Sequence, residues 1–289
     1  MATGLRENIR NLLIDPMIAF ERWFRSSLFN RDKSLPSARM AARGVLGVGI
    51  NALAEIGVPR PAAIVPEPAK IHAKNPTYSA GSFSPFKWVI TLPSDLADVI
   101  ATPLGVEGIA TSIDVDPNDV VRYILAEYAD TVSHECRHCE QVYRIVQWVY
   151  VLQNEKRRDI VTDLISIYEE HFLPKASAMR KPAAPPNPHK TAFPVARQII
   201  RGAALNLNPG SEARAEAAMW YHSMYGDMSK LYQQRRNATD IALYCDIPEE
   251  ADAYGTGELV RDCLLEEWGL SLAKRPDFRI QHTNIIDAA

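Results

Sequence analysis

His134, Glu135 and His138 stand in the order His-Glu-x-x-His, within Ser133-His134-Glu135-Cys136-Arg137-His138. On an α-helix, residues four apart lie one turn above each other, so the two imidazoles can converge on one ion. Glu135 follows the first histidine by about 100° around the axis, so its carboxylate can reach a water on that ion without taking a ligand position. Zinc favours such nitrogen donors, and a catalytic site keeps one position open for water. The chemistry on offer is hydrolysis. The metal lowers the pKa of its water, and Glu135 takes the proton as general base and hands it to the leaving group. The bland alternative is a pair of surface histidines beside a solvated glutamate. The apolar residues on both sides of the motif weigh against it.

This geometry requires a helix through the motif, and the flanking residues predict one. Asp116 is a good N-cap, Pro117 suits the first helical position, and Asp119 sits in the first turn. Apolar residues then recur at Val120, Val121, Ile124, Leu125, Tyr128, Val132, Cys139, Val142, Tyr143 and Val146, close to a 3.6-residue period. The helix is expected to reach about Gln153. Upstream, residues 5–29 and 37–57 have helical periodicity, with Pro16 as a break or a first helical position. Residues 58–85 carry many prolines and are expected to be an extended connection. Phe86-Lys87-Trp88-Val89-Ile90-Thr91-Leu92 has the β-branched and aromatic content of a strand. Downstream, helical patterns cover about 156–172, 195–205 and 211–236. Residues 174–194 hold six prolines and are expected to be an irregular insertion. A last helix is expected near 248–268, opened by Asp246-Ile247-Pro248, and Asp246-x-x-Glu249 matches a capping box. The sequence therefore predicts an α+β chain, mainly α-helical, with a small sheet beside the motif helix. It divides into an N-terminal helical segment with its connection (1–75) and a catalytic unit (76–289).

The strand at 88–92, the motif with Glu140-Gln141 after it, and Pro248-Glu249-Glu250-Ala251-Asp252-Ala253-Tyr254 together resemble the zincin metallopeptidases, in particular the gluzincin branch. The similarity extends to small metallopeptidase domains of bacterial secreted effectors and toxins. It covers less than half of the chain. It implies a zincin-like fold, Zn²⁺ as cofactor and peptide bonds as substrate. It also implies a third ligand from a glutamate on the downstream helix. A capping role for Glu249 leaves Glu250 for the metal, with Asp252 as a partner of a zinc histidine. A neutral donor should face the oxyanion, and Tyr254 and His222 are the candidates. The strand at 86–92 would take an extended peptide by edge addition. A carrier of a secretion machine, or an immunity or inhibitor protein, would be the further partner. The alternative is a delivered interaction protein with a structural or degenerate metal site and no peptidase activity. In that reading residues 1–75 would bind a carrier or a membrane surface.

Composition narrows the classes. The 289 residues are 47% hydrophobic and 23% charged with a net charge of −3, which suits a globular chain and no main nucleic-acid partner. Four cysteines are too few for a disulfide scaffold and are expected in the core, with Cys136 or Cys139 paired to Cys245 or Cys263 only outside the cytoplasm. Cys136-x-x-Cys139 lies deep within the expected helix, not at an N-terminus where a thiol would be activated. Residues 1–20 lack a signal-peptide pattern, with Glu7 and Asp15 in the way, so the chain is expected to be cytoplasmic as made, unless a specialised system exports it. Gly44 to Pro59 is apolar but short and broken by Glu55, so no membrane span is expected.

Overall fold

A computed structural model describes residues 4–29, 38–64, 81–84, 88–92, 110, 114–156, 212–225 and 241–271. The helices expected at 156–172 and 195–205 and the proline-rich stretch 174–194 lie outside these residues. The described part is mainly helical with one small sheet. In chain order it holds a 3₁₀ turn (Arg6–Asn8), a π turn (Arg10–Ile14), α1 (Asp15–Leu28) and α2 (Ala38–Glu55). Three short strands follow, β1 (Ala62–Ile64), β2 (Ser82–Ser84) and β3 (Val89–Thr91). The remaining helices are α3 (Pro117–Lys156), α4 (Glu212–Tyr225), α5 (Ile241–Cys245) and α6 (Pro248–Glu267).

The axis of the fold is α3, which carries the His-Glu-x-x-His motif through 40 residues. Its start is set as the sequence predicts. Asp116 Oδ1 accepts from the backbone N–H of Asn118 at 2.7 Å, and the Asp116 carbonyl accepts from Asp119 and Val120. The expected apolar positions are buried, but so are Ser133, Glu135, Arg137, Glu140, Gln141 and Gln147. A helix wet on one side cannot bury both sets. α6 packs along one side of α3, α2 along another and α4 along a third, so α3 is a central helix. Gly49 of α2 lies against α3 beside the motif. A Cβ there would stand 2.6 Å from Val132 Cγ1 and 2.7 Å from Cys136 Sγ, so only glycine lets the two helices meet beside the motif.

The N-terminal pattern at 5–29 is split. Pro16 sits at the second position of α1, where a missing N–H costs nothing, but it prevents α-type bonding from running straight through from residue 12. The chain before it is wound as the 3₁₀ and π turns instead. Leu5, Ile9, Leu13, Ile14, Met17 and Phe24 join the same core as α3, Trp220 and Leu264.

The sheet corrects two expectations. Residues 58–85 are not only an extended connection, since β1 and β2 lie within them. The order is β1-β3-β2, with β1 parallel and β2 antiparallel to β3. β3, the expected peptide-binding edge, is therefore the central strand. Both its backbone edges are used, and Ile90 is fully buried. The strand facing α3 is β2.

The capping box is also corrected. α6 starts after Ile247, whose extended backbone puts Ile247 and not Asp246 at the N-cap position, and the Glu249 carboxylate is engaged by Ser223. No helix of the described residues is long and apolar enough to cross a membrane. The four thiols are free, with Cys136 and Cys139 fully buried.

Candidate metal centre

One turn of α3 places His134 and His138 together, and the first turn of α6 brings Glu250 against them. The His134 and His138 Nε2 atoms are 3.0 Å apart. Glu250 Oε2 is 3.2 Å from His138 Nε2 and 3.7 Å from His134 Nε2. The rings are edge to face at 85°. Three ligand atoms at tetrahedral corners around zinc, with bonds of about 2.0–2.1 Å, are about 3.3–3.4 Å apart. The observed triangle brackets that spacing. The two imidazole nitrogens at 3.0 Å are within hydrogen-bonding distance, so in the absence of a metal ion one of them carries an N–H toward the other. A buried His-His-Glu group that could bind a metal ion is thus present.

Electrostatics point the same way. Burial and the charge of His138 lower the His134 pKa to about 4. Burial also opposes the charge on His138. The bond to Glu250 and the charges of Glu250 and Glu135 outweigh that opposition and hold it at about 9. Burial would raise Glu250, yet His138, Tyr244 and His134 bring it below its ordinary value. The cluster draws positive charge to its centre, and a proton on His138 meets that demand where a metal ion would.

Glu135 stays out of the triangle, as its position on the helix dictates. Burial pushes its pKa up to about 7, against the pull of His138 and of a backbone hydrogen bond from Phe83. That N–H belongs to β2, so the sheet reaches the site through β2. Gly81, just before the strand, makes room: a Cβ there would lie 2.8 Å from Thr131 Cγ2 and 3.4 Å from Glu135 Oε1. A carboxyl poised near neutrality, beside a group able to hold a metal, suits a general base.

Two residues that the sequence did not single out hold the His-His-Glu group in place. Tyr244 of α5 donates its hydroxyl to Glu250 Oε1 at 2.5 Å, leaving Oε2 to face the histidines. Gln141 Oε1 meets His138 Nδ1 at 2.8 Å. Asp252 reaches the histidine only through Gln141, whose amide nitrogen donates to Asp252 Oδ2 at 2.8 Å. Gln141 was readable from spacing, three residues after His138 on the same helix face. Tyr244 carried no such signal, because only the turn between α5 and α6 brings it near Glu250.

The other candidates are placed as follows. Tyr254 sets its ring edge-on to His134 at 4.4 Å, and its hydroxyl is hydrogen-bonded to the Cys245 thiol. Burial raises its pKa to about 12, so it is a neutral phenol. His222 is exposed on α4, its ring against Tyr221 at 5.5 Å. Its neighbour Ser223 turns inward and donates to Glu249 Oε2 at 3.2 Å. Glu249 is buried away from the triangle, and burial pushes its pKa to about 7. Comparison with protein-family models, with curated proteins and with solved structures finds no match to this chain.

Proposed function

We propose that this protein is a zinc-dependent peptidase, with His134, His138 and Glu250 as metal ligands and Glu135 as general base. The observation that carries the reading is the His-His-Glu triangle at zinc-like spacing, with a separate buried carboxyl of near-neutral pKa beside it. Bound zinc would supply an acidified water and polarise a carbonyl. The chain's own groups do the rest. Glu135 accepts a proton at its carboxylate and releases it to the departing amine. Tyr244 keeps Glu250 presenting one oxygen. Tyr254, a neutral phenol against His134 whose hydroxyl is shared with Cys245, is the candidate donor for a developing oxyanion, and exposed His222 supports that role less.

β2 supports a peptide rather than a small ester as substrate. Its middle residue, Phe83, reaches Glu135 through its backbone N–H. An extended chain adding there would lay its backbone past the general base. The test combines metal content with hydrolysis of a peptide library by the full chain. Wild-type protein should carry one zinc and cut. Glu135→Gln should keep the zinc and lose about 10²–10⁴-fold in rate. Protein that retains no metal after zinc loading, or whose Glu135→Gln variant cuts as well as wild type, would overturn the proposal.

A further inference from the structure

The amide of Gln141 can stand in only one orientation. Its nitrogen lies 2.8 Å from the carbonyl oxygen of Glu249 and 2.8 Å from Asp252 Oδ2. A backbone carbonyl and a carboxylate accept hydrogen bonds and give none, so the NH₂ end must face them. The oxygen end then faces His138 Nδ1 at 2.8 Å, and an oxygen there requires that Nδ1 carry the hydrogen. A neutral imidazole protonated at Nδ1 has its lone pair on Nε2, the atom that points at His134 and Glu250. The opposite tautomer would set two acceptors against each other at Nδ1 and drive an N–H into the ligand cluster.

We infer that Gln141 is a positioning residue that sets the tautomer of His138 and presents its Nε2 lone pair to a metal ion. This rests on the metal-site reading above and extends it to a residue outside the ligand set. The amide is held from several elements at once. Asp252 accepts from Arg137 Nε at 2.7 Å and from Arg6 Nη1 at 3.2 Å. Arg137 Nη1 donates to Glu140 at 2.7 Å, and Glu140 in turn accepts the backbone N–H of Leu5 at 3.1 Å. The turn at Gly4–Arg6, α3 and α6 are thereby tied to the same amide, and Gln141 is only 2% exposed. His134 has no such help. Its Nδ1 is buried with no hydrogen-bond partner among the described residues. Of the two histidines, His138 is the one whose ring the protein orients through Nδ1.

The experiment uses the full chain and two variants. Q141M keeps the volume and removes both ends of the amide. Q141E keeps an oxygen for His138 but turns a carboxylate toward the Glu249 carbonyl and Asp252. Zinc affinity is measured by chelator competition. The His138 ring is read by nitrogen NMR of histidine-labelled protein loaded with NMR-active cadmium, and thermal unfolding checks that each variant folds. Wild type should bind one zinc, with cadmium coupled to His138 Nε2 and a slowly exchanging Nδ1 proton. Q141M should bind zinc about 10–100-fold more weakly and lose that slow proton, whereas Q141E, which keeps an acceptor at Nδ1, should retain it. If Q141M does not fold, Q141E decides alone, and loss of its slow proton would overturn the inference. A folded Q141M that binds zinc as tightly as wild type, with the Nδ1 proton unchanged, would overturn the inference and leave the metal site standing. Wild-type protein that binds no zinc would overturn the metal-site reading and this inference with it.

Discussion

In protein stripped of metal, Glu135 is a stability liability whose size depends on pH. Its carboxyl is 7% exposed, and burial raises its pKa from the ordinary 4.5 to about 7. A raised carboxyl pKa means that the folded state holds its proton more tightly than the unfolded chain does. Below pH 4.5 both states are protonated and nothing is lost. Between pH 4.5 and 7 the unfolded chain ionises first, so stability falls as pH rises. Above pH 7 the full penalty is present, and the difference between about 7 and 4.5 is worth about 3 kcal/mol. Glu135→Gln keeps the shape and an oxygen for the Phe83 N–H but cannot ionise. The variant should therefore match wild type at pH 4 and exceed it by about 3 kcal/mol at pH 8 in the chelated state. Urea unfolding of both proteins across this range, with excess chelator, measures the difference directly. A variant less stable than wild type at pH 8, or a gap that does not change with pH, would refute the argument that Glu135 is held as a desolvated base.

Three more perturbations follow from named contacts. Arg137→Met removes the cation between the buried Glu140 and the partly buried Asp252, and leaving these carboxylates without it should cost about 3–5 kcal/mol in urea unfolding. Gly49→Ala should destabilise by about 1–3 kcal/mol despite alanine's better helix propensity, because its methyl would overlap Val132 and Cys136; calorimetric unfolding checks the sign. Tyr244→Phe frees Glu250 Oε1, so zinc affinity by chelator competition should fall about 10–100-fold while far-UV circular dichroism stays unchanged.

The sequence alone determined what depends on neighbours a few residues away. His134, Glu135 and His138 take their relative directions from the helical repeat, and Asp116 caps that helix as its chemistry requires. The long helix, α2 and α6 were legible because hydrophobic period and capping signals are local. The third member of the His-His-Glu group was different. Glu249 and Glu250 are about 100° apart on α6, and either could serve by composition. A capping box with Asp246 at the N-cap was the sequence argument for Glu250, and the N-cap position of α6 is Ile247 instead. Glu250 meets the histidines because of how α6 packs along α3, which sends Glu249 toward Ser223 instead. Strand content marked Val89–Thr91, but only pairing could show that it is central and that β2, hidden between prolines, runs beside Glu135. Local periodicity fixes directions within an element. Which elements face each other, and so which carboxylate closes the triangle and which strand runs beside Glu135, is decided by packing between residues far apart in the chain.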